Sequence, residues 1–184
     1  MNIFVLDEDP IKAARMMCDK HIPKMVVETA QMMASALRRH GATDDVMPLT
    51  KRGTPYKGGY QNHPCTVWAR DNRMNYKYGV RLLKAMNDEY MYRYPVKRTG
   101  EPNTGHASMR HYDALVEGAK YIPDYTNFVT PHPQCFSGLD HLKTDEHWPV
   151  AAYRAFYKVD KIKFASYNKG RSMPHWMKGE VTWM

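Results

Sequence analysis

The amino-acid sequence predicts an all-α fold, a mostly helical single domain over residues 1–184 that forms a compact helical bundle. Three observations support this prediction. Apolar residues recur every three or four positions over several long stretches, as on one face of an α-helix. Prolines, cap residues and glycines mark the ends of these stretches. The chain of 184 residues is long enough to bury roughly 70% of its unfolded surface, and it shows no repeat or linker.

The first elements are defined by their end signals. Residues 2–6 are mostly apolar and predict a short strand or an extended arm that packs on the core. Asp9 and Pro10 predict a helix that runs to about Asp19, because aspartate caps helix N-termini and proline fits the first turn. A second helix is predicted over residues 22–39, which end in two arginines shortly before a glycine.

Prolines and glycines bound the remaining elements. In chain order these are predicted as an exposed basic loop over 41–62, a long helix over 64–94, a loop over 95–105, a shorter helix over 106–120 and a last helix from Trp148 to about Ala165. Gly79 lies within the long helix, where glycine costs up to roughly 1 kcal/mol relative to alanine. We expect it there because a second helix, the one that carries Glu28, approaches closely.

The net charge predicts a polyanionic partner. Lys and Arg outnumber Asp and Glu by 27 to 19, which gives a net charge of +8. Nucleic acid is the commonest polyanion that a basic surface attracts, although many basic proteins do not bind it. The 13 tyrosines and four tryptophans lie among the cations, where their rings could stack on bases. We therefore expect DNA as the partner, either duplex or single-stranded.

Targeting signals are not evident in the sequence. It contains no run of about 18 apolar residues, so no membrane-spanning helix is predicted. The short apolar run at the N-terminus is followed by three acidic residues, a pattern that does not fit a secretory signal. The three cysteines are odd in number and widely spaced, which argues against a disulfide framework. These features predict a cytoplasmic protein, located in the host cytoplasm if a phage encodes it.

The second predicted helix carries the candidate catalytic residues. His21, Lys24, Glu28 and Gln31 lie three or four residues apart and share one polar face of a helix that is otherwise largely apolar. A buried imidazole, amine and carboxylate are costly unless they pair or take part in chemistry. Glu28 is predicted as a general acid or base, with a structural ion pair to Lys24 as the alternative. His21 is predicted to orient the substrate or the glutamate, with a structural role as its alternative.

Further candidate residues lie on the long helix and near the C-terminus. Cations at helical spacing predict contacts to DNA phosphates, and their alternative is an ordinary solvated helix face. The predicted phosphate contacts are Arg70, Arg73, Lys77, Arg81 and, near the C-terminus, Arg154. The predicted substrate-binding residues are Lys24, Gln31, His63, Trp68 and Asn75.

Neither a metal nor a cofactor is predicted. Cys18 and His21 have a C-x-x-H spacing, and the Cys and His residues within 63–65 and 132–135 could complete a set. These pieces are scattered, however, and none forms a paired C-x-x-C. The sequence also contains no glycine-rich phosphate loop and no nucleophile elbow.

Three motifs resemble those of a group of phage and bacterial proteins. They are D-x-D-P followed by D-K-H-x-x-K-M-x-x-E-x-x-Q in Asp7 to Gln31, H-P-x-x-x-W-x-R in His63 to Arg70, and A-Y-R-x-x-Y in Ala152 to Tyr157. That group is placed with the pyrimidine dimer DNA glycosylases, the phage endonuclease V-like superfamily. The chain resembles a divergent branch of this superfamily over most of its length.

The resemblance implies a compact helical bundle that needs no cofactor. It also implies that Glu28 is the catalytic acid or base and that His21, seven residues earlier, lies in the site. The implied chemistry is attack of an amine on C1′ of a deoxyribose, which releases the base and forms a Schiff base. Beta-elimination then nicks the strand. An α-amino group suits this role because it loses its proton nearer neutral pH than a lysine does.

The chain departs from the family pattern at two points. Position 2 is Asn rather than a small residue, so removal of the initiator Met is not expected and the amine would belong to Met1. Lys20 or Lys24 is the alternative source of an amine. The family's lesion-holding arginines correspond to Val27 and Gln31, so the resemblance does not imply specificity for dimers.

Three functional hypotheses follow. The first is a DNA glycosylase-like enzyme that acts on the N-glycosidic bond of damaged or modified pyrimidines in DNA, with AP-lyase activity as a second step. The second is a non-catalytic phage protein on the same fold that binds DNA or inhibits another protein. The third is an enzyme that acts on free modified pyrimidine nucleotides.

Overall fold

The computed structural model describes residues 1–178 and consists of α-helices, short turns of helix and long irregular connections. Within this range it forms no β-strand, which agrees with the predicted all-α class. The α-helices are α1 (Pro10–Met16), α2 (His21–Arg39), α3 (Pro64–Asp71), α4 (Arg73–Arg93), α5 (Tyr112–Gly118) and α6 (Val150–Phe156). Single 3-10 turns span Ala107–His111, Ala119–Tyr121, Asp140–Leu142 and His175–Met177, and a π-helical turn spans Tyr157–Lys161. No helix in the described range has the length and apolar character needed to cross a membrane.

Helices α2 and α4 form the centre of the structure. They pack closely at Gly79, where a Cβ atom would lie 2.5 Å from Sδ of Met33 on α2. The predicted close approach of the Glu28 helix at this glycine is therefore confirmed. Both helices bury apolar side chains in one core that also includes α1, α3 and the segments around α5 and α6.

The helix starts agree with the sequence prediction better than the helix ends do. The Asp9 side chain accepts a hydrogen bond from the backbone nitrogen of Ile11 at 2.8 Å, which caps α1 as predicted. Helix α1 ends at Met16, three residues before the predicted Asp19. The shorter predicted helix, 106–120, is divided into α5 and a 3-10 turn on each side of it. The last predicted helix ends as α6 at Phe156 and continues only as the π-helical turn.

The prediction of one helix over 64–94 is wrong at a single residue. Asn72 is extended, with φ −150° and ψ 139°, and it separates α3 from α4. Its side chain donates hydrogen bonds to Oγ1 of Thr126 and to the carbonyl of Phe128, and it accepts one from the backbone nitrogen of Thr126. Since these partners lie more than 50 residues away in the sequence, helical periodicity could not reveal the break.

Residues 2–6 form the N-terminal arm, which is buried and is not paired as a β-strand. Arg154 donates from Nε to the carbonyl of Leu6 at 2.9 Å. Asn2 receives a hydrogen bond from the Tyr153 hydroxyl at 3.0 Å and donates from Nδ2 to the carbonyl of Cys135 at 3.1 Å. These contacts hold the start of the chain inside the molecule, against α2.

Candidate active site

The amino terminus lies against Glu28 on the second turn of α2. Oε2 of Glu28 accepts a hydrogen bond from the backbone nitrogen of Asn2 at 3.1 Å and lies 3.7 Å from the Met1 amine. On the other side, Oε1 is 3.7 Å from Nζ of Lys24. The Glu28 side chain is 15% exposed, so its carboxylate reaches solvent between two cationic groups.

The carboxylate opens into a cavity of about 340 Å³, here called the Glu28 cavity. This volume lies within the range of about 300–1,000 Å³ that is usual for small-molecule sites. The cavity is lined by Met1, Lys24, Val27, Glu28, Gln31 and Tyr60. Helix α2 supplies four of these six residues, and three of them, Lys24, Glu28 and Gln31, belong to the polar face that the sequence predicted.

Tyr60 forms the wall of the Glu28 cavity that is contributed by the basic loop, residues 41–62. Its side chain is 63% exposed and its φ is +56°, which is uncommon for a bulky residue. The preceding Gly59 is tied to α2 because its backbone nitrogen donates to Oγ of Ser35 at 2.7 Å. The backbone of Tyr60 is thus held in a strained conformation while its ring lies at the mouth of the cavity. Strained backbone of this kind is typical of functional sites.

His63 borders the amino terminus from the start of α3. Its Nδ1 accepts a hydrogen bond from the backbone nitrogen of Cys65 at 3.2 Å and caps the helix. Burial and the nearby Met1 ammonium lower the pKa of His63, while a hydrogen bond to the Met1 backbone opposes the shift. His63 is therefore neutral at pH 7 and helps to position the chain start.

The structure brings Lys24, Glu28 and Gln31 together at the cavity, with His63 beside Met1. His21 lies elsewhere. Its ring stacks on Phe4 with centroids 4.8 Å apart, and Nδ1 is 2.6 Å from the Tyr157 hydroxyl. Burial and neighbouring lysines lower the pKa of His21 to about 3, so the ring stays neutral. These contacts give no support to a catalytic role for His21; they match its structural alternative.

Trp68 on α3 and Asn75 on α4 are buried and do not line the cavity. Nε1 of Trp68 donates to the carbonyl of Thr130 at 3.0 Å. The Asn75 side chain donates to the Trp68 carbonyl and to Oγ1 of Thr130, and it accepts from the Thr130 nitrogen. Both side chains fasten the segment around Thr130 to the helices, so their geometry does not favour the predicted contact with substrate.

Three of the five predicted phosphate contacts are engaged inside the protein. Arg73 donates to the carbonyls of Ala119 and Ile122 and pairs with Asp124. Arg154 holds the N-terminal arm, and Arg70 donates to the carbonyl of Gln61 at 2.9 Å. Lys77 and Arg81 are exposed, but they border an apolar groove that shares no lining residue with the Glu28 cavity.

Sequence reasoning did not identify Tyr60 as a part of the site. Tyr60 carries no helical or motif signal; only its position after two glycines hints at an unusual backbone. It comes from the basic loop, whose predicted exposure is confirmed for most of its residues.

One group of side chains in the described range could hold a metal ion. The ligand atoms of His63, Cys65 and Cys135 all lie within 4.8 Å of one another. A structural zinc site needs four ligands, and Nδ1 of His63 already accepts the Cys65 N–H. The group therefore falls short of a structural zinc site.

The described part of the chain is an all-α protein whose amino terminus and a helix carboxylate meet at an open cavity. Comparison with known protein families identifies the family to which the chain belongs. The family model for pyrimidine dimer DNA glycosylase matches residues 1–101, more than half of the chain, and the protein therefore belongs to this family. The matched range contains the N-terminal arm, α1 to α4 and every residue that lines the Glu28 cavity. No curated protein and no solved structure matches the chain.

Proposed function

We propose that the protein is a DNA glycosylase that cleaves the N-glycosidic bond of a damaged or modified pyrimidine in DNA, with an AP-lyase step that uses the Met1 amine. The observation that carries this proposal is the 3.7 Å distance between the Met1 nitrogen and Oε2 of Glu28, at the edge of an open cavity. Membership of the pyrimidine dimer DNA glycosylase family supports the same class of reaction.

Glu28 would act first as a general base. It accepts a proton from the Met1 ammonium, and the neutral nitrogen then attacks C1′ of the deoxyribose. A nitrogen–carbon bond forms as the glycosidic bond breaks, and the bonding electron pair leaves with the base, which takes up a proton. Opening of the sugar ring transfers the Glu28 proton to O4′ and gives the Schiff base. Glu28 is then a carboxylate again, and loss of a C2′ proton to it expels the 3′ phosphate.

The remaining residues of the cavity would bind the substrate. The Tyr60 ring is exposed at the mouth and suits stacking on an extruded base, since every base presents a π face. The Gln31 amide can donate to and accept from a base edge. Lys24 lines the cavity and Lys57 precedes Tyr60 by three residues; both are exposed cations that would hold phosphates, and Lys77 and Arg81 would add further contacts.

Borohydride trapping tests this proposal. An oligonucleotide with an abasic site should become covalently bound to the protein when borohydride reduces the Schiff base. Adding one residue ahead of Met1 moves the amine by about 3.8 Å and should abolish trapping. Lys24→Ala is the matched control, because it removes the other amine next to Glu28; at DNA concentrations that saturate the variant, trapping should remain intact. Trapping that depends on Lys24 and not on the amino terminus would refute the assignment of Met1.

The substrate base requires a separate assay. Release of free base should be measured on irradiated DNA and on DNA that carries phage-type modified pyrimidines. The replacement of arginines by Val27 and Gln31 on the cavity wall favours a base other than the dimer. Release from irradiated DNA alone would contradict this part of the proposal.

One observation favours a non-catalytic DNA-binding protein as the second candidate. Glu28 already has two cationic neighbours and a backbone hydrogen bond, which together satisfy the carboxylate structurally. Under this hypothesis the protein binds DNA, but no borohydride adduct forms with either abasic or modified DNA.

The internal bonds of Arg70, Arg73 and Arg154 favour the third candidate, an enzyme for free modified pyrimidine nucleotides. Fewer cations then remain for a duplex. The salt dependence of binding separates the two substrates, because the logarithm of the binding constant falls by about 0.9 per phosphate contact for each tenfold rise in salt. A slope of several units supports DNA, and a slope near one supports a nucleotide.

A further inference from the structure

Two of the three cysteines meet beside the candidate active site. Sγ of Cys65 on α3 lies 3.3 Å from Sγ of Cys135, which belongs to the irregular segment between α5 and α6. Cys65 is fully buried, whereas Cys135 is partly exposed. The third cysteine, Cys18, is buried against the Tyr157 hydroxyl, 3.6 Å away.

The two thiols differ in their environments. Burial raises the pKa of Cys65 well above its usual value. The contact with the Cys65 thiol, together with a hydrogen bond from the Cys65 backbone, lowers the pKa of Cys135. The thiolate is therefore favoured on the more accessible sulfur, with a buried thiol in contact behind it. A reactive, accessible cysteine next to a second cysteine is the usual arrangement in redox sensors.

We propose that Cys65 and Cys135 are a redox modification site that closes to a disulfide when the protein meets a hydroperoxide. The Cys135 thiolate attacks the peroxide oxygen, the O–O bond breaks, and the leaving oxygen takes a proton, which yields a sulfenic acid. Sγ of Cys65 then attacks Sγ of Cys135. The S–S bond forms as the S–O bond breaks, and water leaves with the thiol proton. Each disulfide thus accounts for one hydroperoxide reduced by two electrons.

Asn2 connects this pair to the amino terminus. Its Oδ1 is 3.6 Å from Sγ of Cys65, its Nδ2 donates to the carbonyl of Cys135, and its backbone nitrogen donates to Glu28. Disulfide formation brings the sulfurs to about 2.05 Å and removes the thiol hydrogen that faces Asn2. The bond should therefore alter the anchoring of residues 1–3. An effect on base release rests on the proposed function, but disulfide formation does not.

Counting thiols after peroxide treatment tests the proposal without DNA. The reduced chain has three free thiols, and a stoichiometric amount of hydrogen peroxide should leave one, with the mass of two hydrogen atoms lost and a single crosslinked Cys65–Cys135 peptide. Cys18→Ser is the matched control and should go from two thiols to none. Dithiothreitol should restore the original count in both proteins.

The single variants of the pair trap the intermediate. Cys65→Ser should stop the reaction at the Cys135 sulfenic acid, which dimedone labels, whereas Cys135→Ser should form neither product. If Cys65→Ser does not fold, Cys65→Ala provides the same test because it also lacks the second thiol. Labelling of Cys65 first, or a disulfide that includes Cys18, would overturn the proposal.

Two further measurements complete the test. The amide of Ile3 donates to Oδ1 of Asn2, so its hydrogen exchange should change on oxidation and recover on reduction. Metal analysis of the purified protein should find no stoichiometric metal. One zinc ion per chain, with both thiols protected from peroxide, would refute the redox site in favour of a metal site at His63, Cys65 and Cys135.

Discussion

At the scale of single residues, Glu28 is distinguished from the other acidic residues by its neighbours. Its carboxylate faces the Met1 amine, the Asn2 backbone and Lys24, and it still reaches solvent. The spacing of the helix allowed for the pairing with Lys24, the structural alternative for Glu28, because both residues lie on one face. The amine could not be predicted in the same way, since the N-terminal arm reaches it only through long-range contacts with the C-terminal half.

Replacing Glu28 tests its proposed role. Glu28→Gln keeps an oxygen that can accept the Asn2 N–H but cannot take a proton from the amine, so we expect base release to fall by about 10²–10⁴-fold with little change in DNA affinity. Glu117→Gln, an exposed glutamate on α5, is the control. Base release should be measured under single-turnover conditions beside a binding titration. Retained turnover in Glu28→Gln would exclude Glu28 from the mechanism.

Tyr60 can be tested by removing its ring. Tyr60→Ala should weaken the binding of base-containing DNA by about 1–3 kcal/mol, the usual worth of one stacked base. Tyr60→Phe should bind normally, and Tyr125→Ala, which removes a tyrosine that is 78% exposed, should have no effect. Fluorescence anisotropy with a labelled oligonucleotide measures the affinities. Equal losses of DNA affinity in the Tyr60→Ala and Tyr125→Ala proteins would mean that stacking at the cavity does not contribute to DNA binding.

At the scale of elements, a buried ion cluster joins α4 to the segment between α1 and α2. Arg93 is fully buried and donates to Asp19 at 3.0 Å and to Glu89 at 3.0 Å. Arg171 adds a second cation to Glu89 from the C-terminal part of the chain. Burial alone would raise the pKa of Glu89, but hydrogen bonds from Arg171 and Arg93 hold it below its usual value.

Truncating Arg93 should therefore destabilise the fold strongly. Arg93→Ala leaves the Asp19 and Glu89 carboxylates buried without their central partner, which costs about 3–5 kcal/mol. The exposed Arg98→Ala is the control and should change the free energy of unfolding by no more than about 0.5 kcal/mol. Urea denaturation followed by circular dichroism gives both values. If the free energy of unfolding decreases as little in the Arg93→Ala protein as in the control, the ion cluster contributes little to stability.

The long predicted helix shows where sequence reasoning fails at this scale. Residues 64–94 have helical spacing and contain no proline between Pro64 and Pro95, so local signals predict one element. Asn72 breaks it: its backbone is extended, and its side chain forms three hydrogen bonds with Thr126 and Phe128. The capped starts at Asp9 and His63 were predictable, since a cap depends only on residues two or three positions away.

At the scale of the whole molecule, three buried histidines with lowered pKa values couple stability to pH, and His21 and His132 show the largest shifts among them. Burial lowers the pKa of both His21 and His132 to about 3. Below about pH 6.5 the unfolded chain binds protons at these residues and the folded chain does not, so the free energy of unfolding should fall as the pH decreases from 6.5 towards 3. Each histidine contributes a slope of up to about 1.4 kcal/mol per pH unit in that window.

Thermal unfolding between pH 8 and pH 4 measures this dependence. The melting temperature should be nearly constant above pH 7 and decrease below pH 6. His132→Phe removes one titrating group and keeps a ring against Trp68 and Tyr153, so the decrease should become shallower. His175→Phe, a histidine on a terminal 3-10 turn, is the control and should keep the wild-type profile. An unchanged profile in His132→Phe would show that His132 is not a source of the pH dependence.

The sequence by itself determined the helical class, most helix starts, the close approach at Gly79 and the polar face that carries Lys24, Glu28 and Gln31. These features depend on residues a few positions apart, and helical geometry converts such spacing directly into a shared face. The family resemblance, carried by the same local motifs, is confirmed by the family match to residues 1–101.

Only the tertiary structure decided which groups meet Glu28. The polar face of α2 is divided between two environments, since His21 packs among aromatic rings while Glu28 faces the cavity. The amine, Tyr60 and the Cys65–Cys135 pair reach the region through contacts between residues that are distant in sequence. Such contacts depend on how the whole core packs, and no local pattern in the chain encodes them.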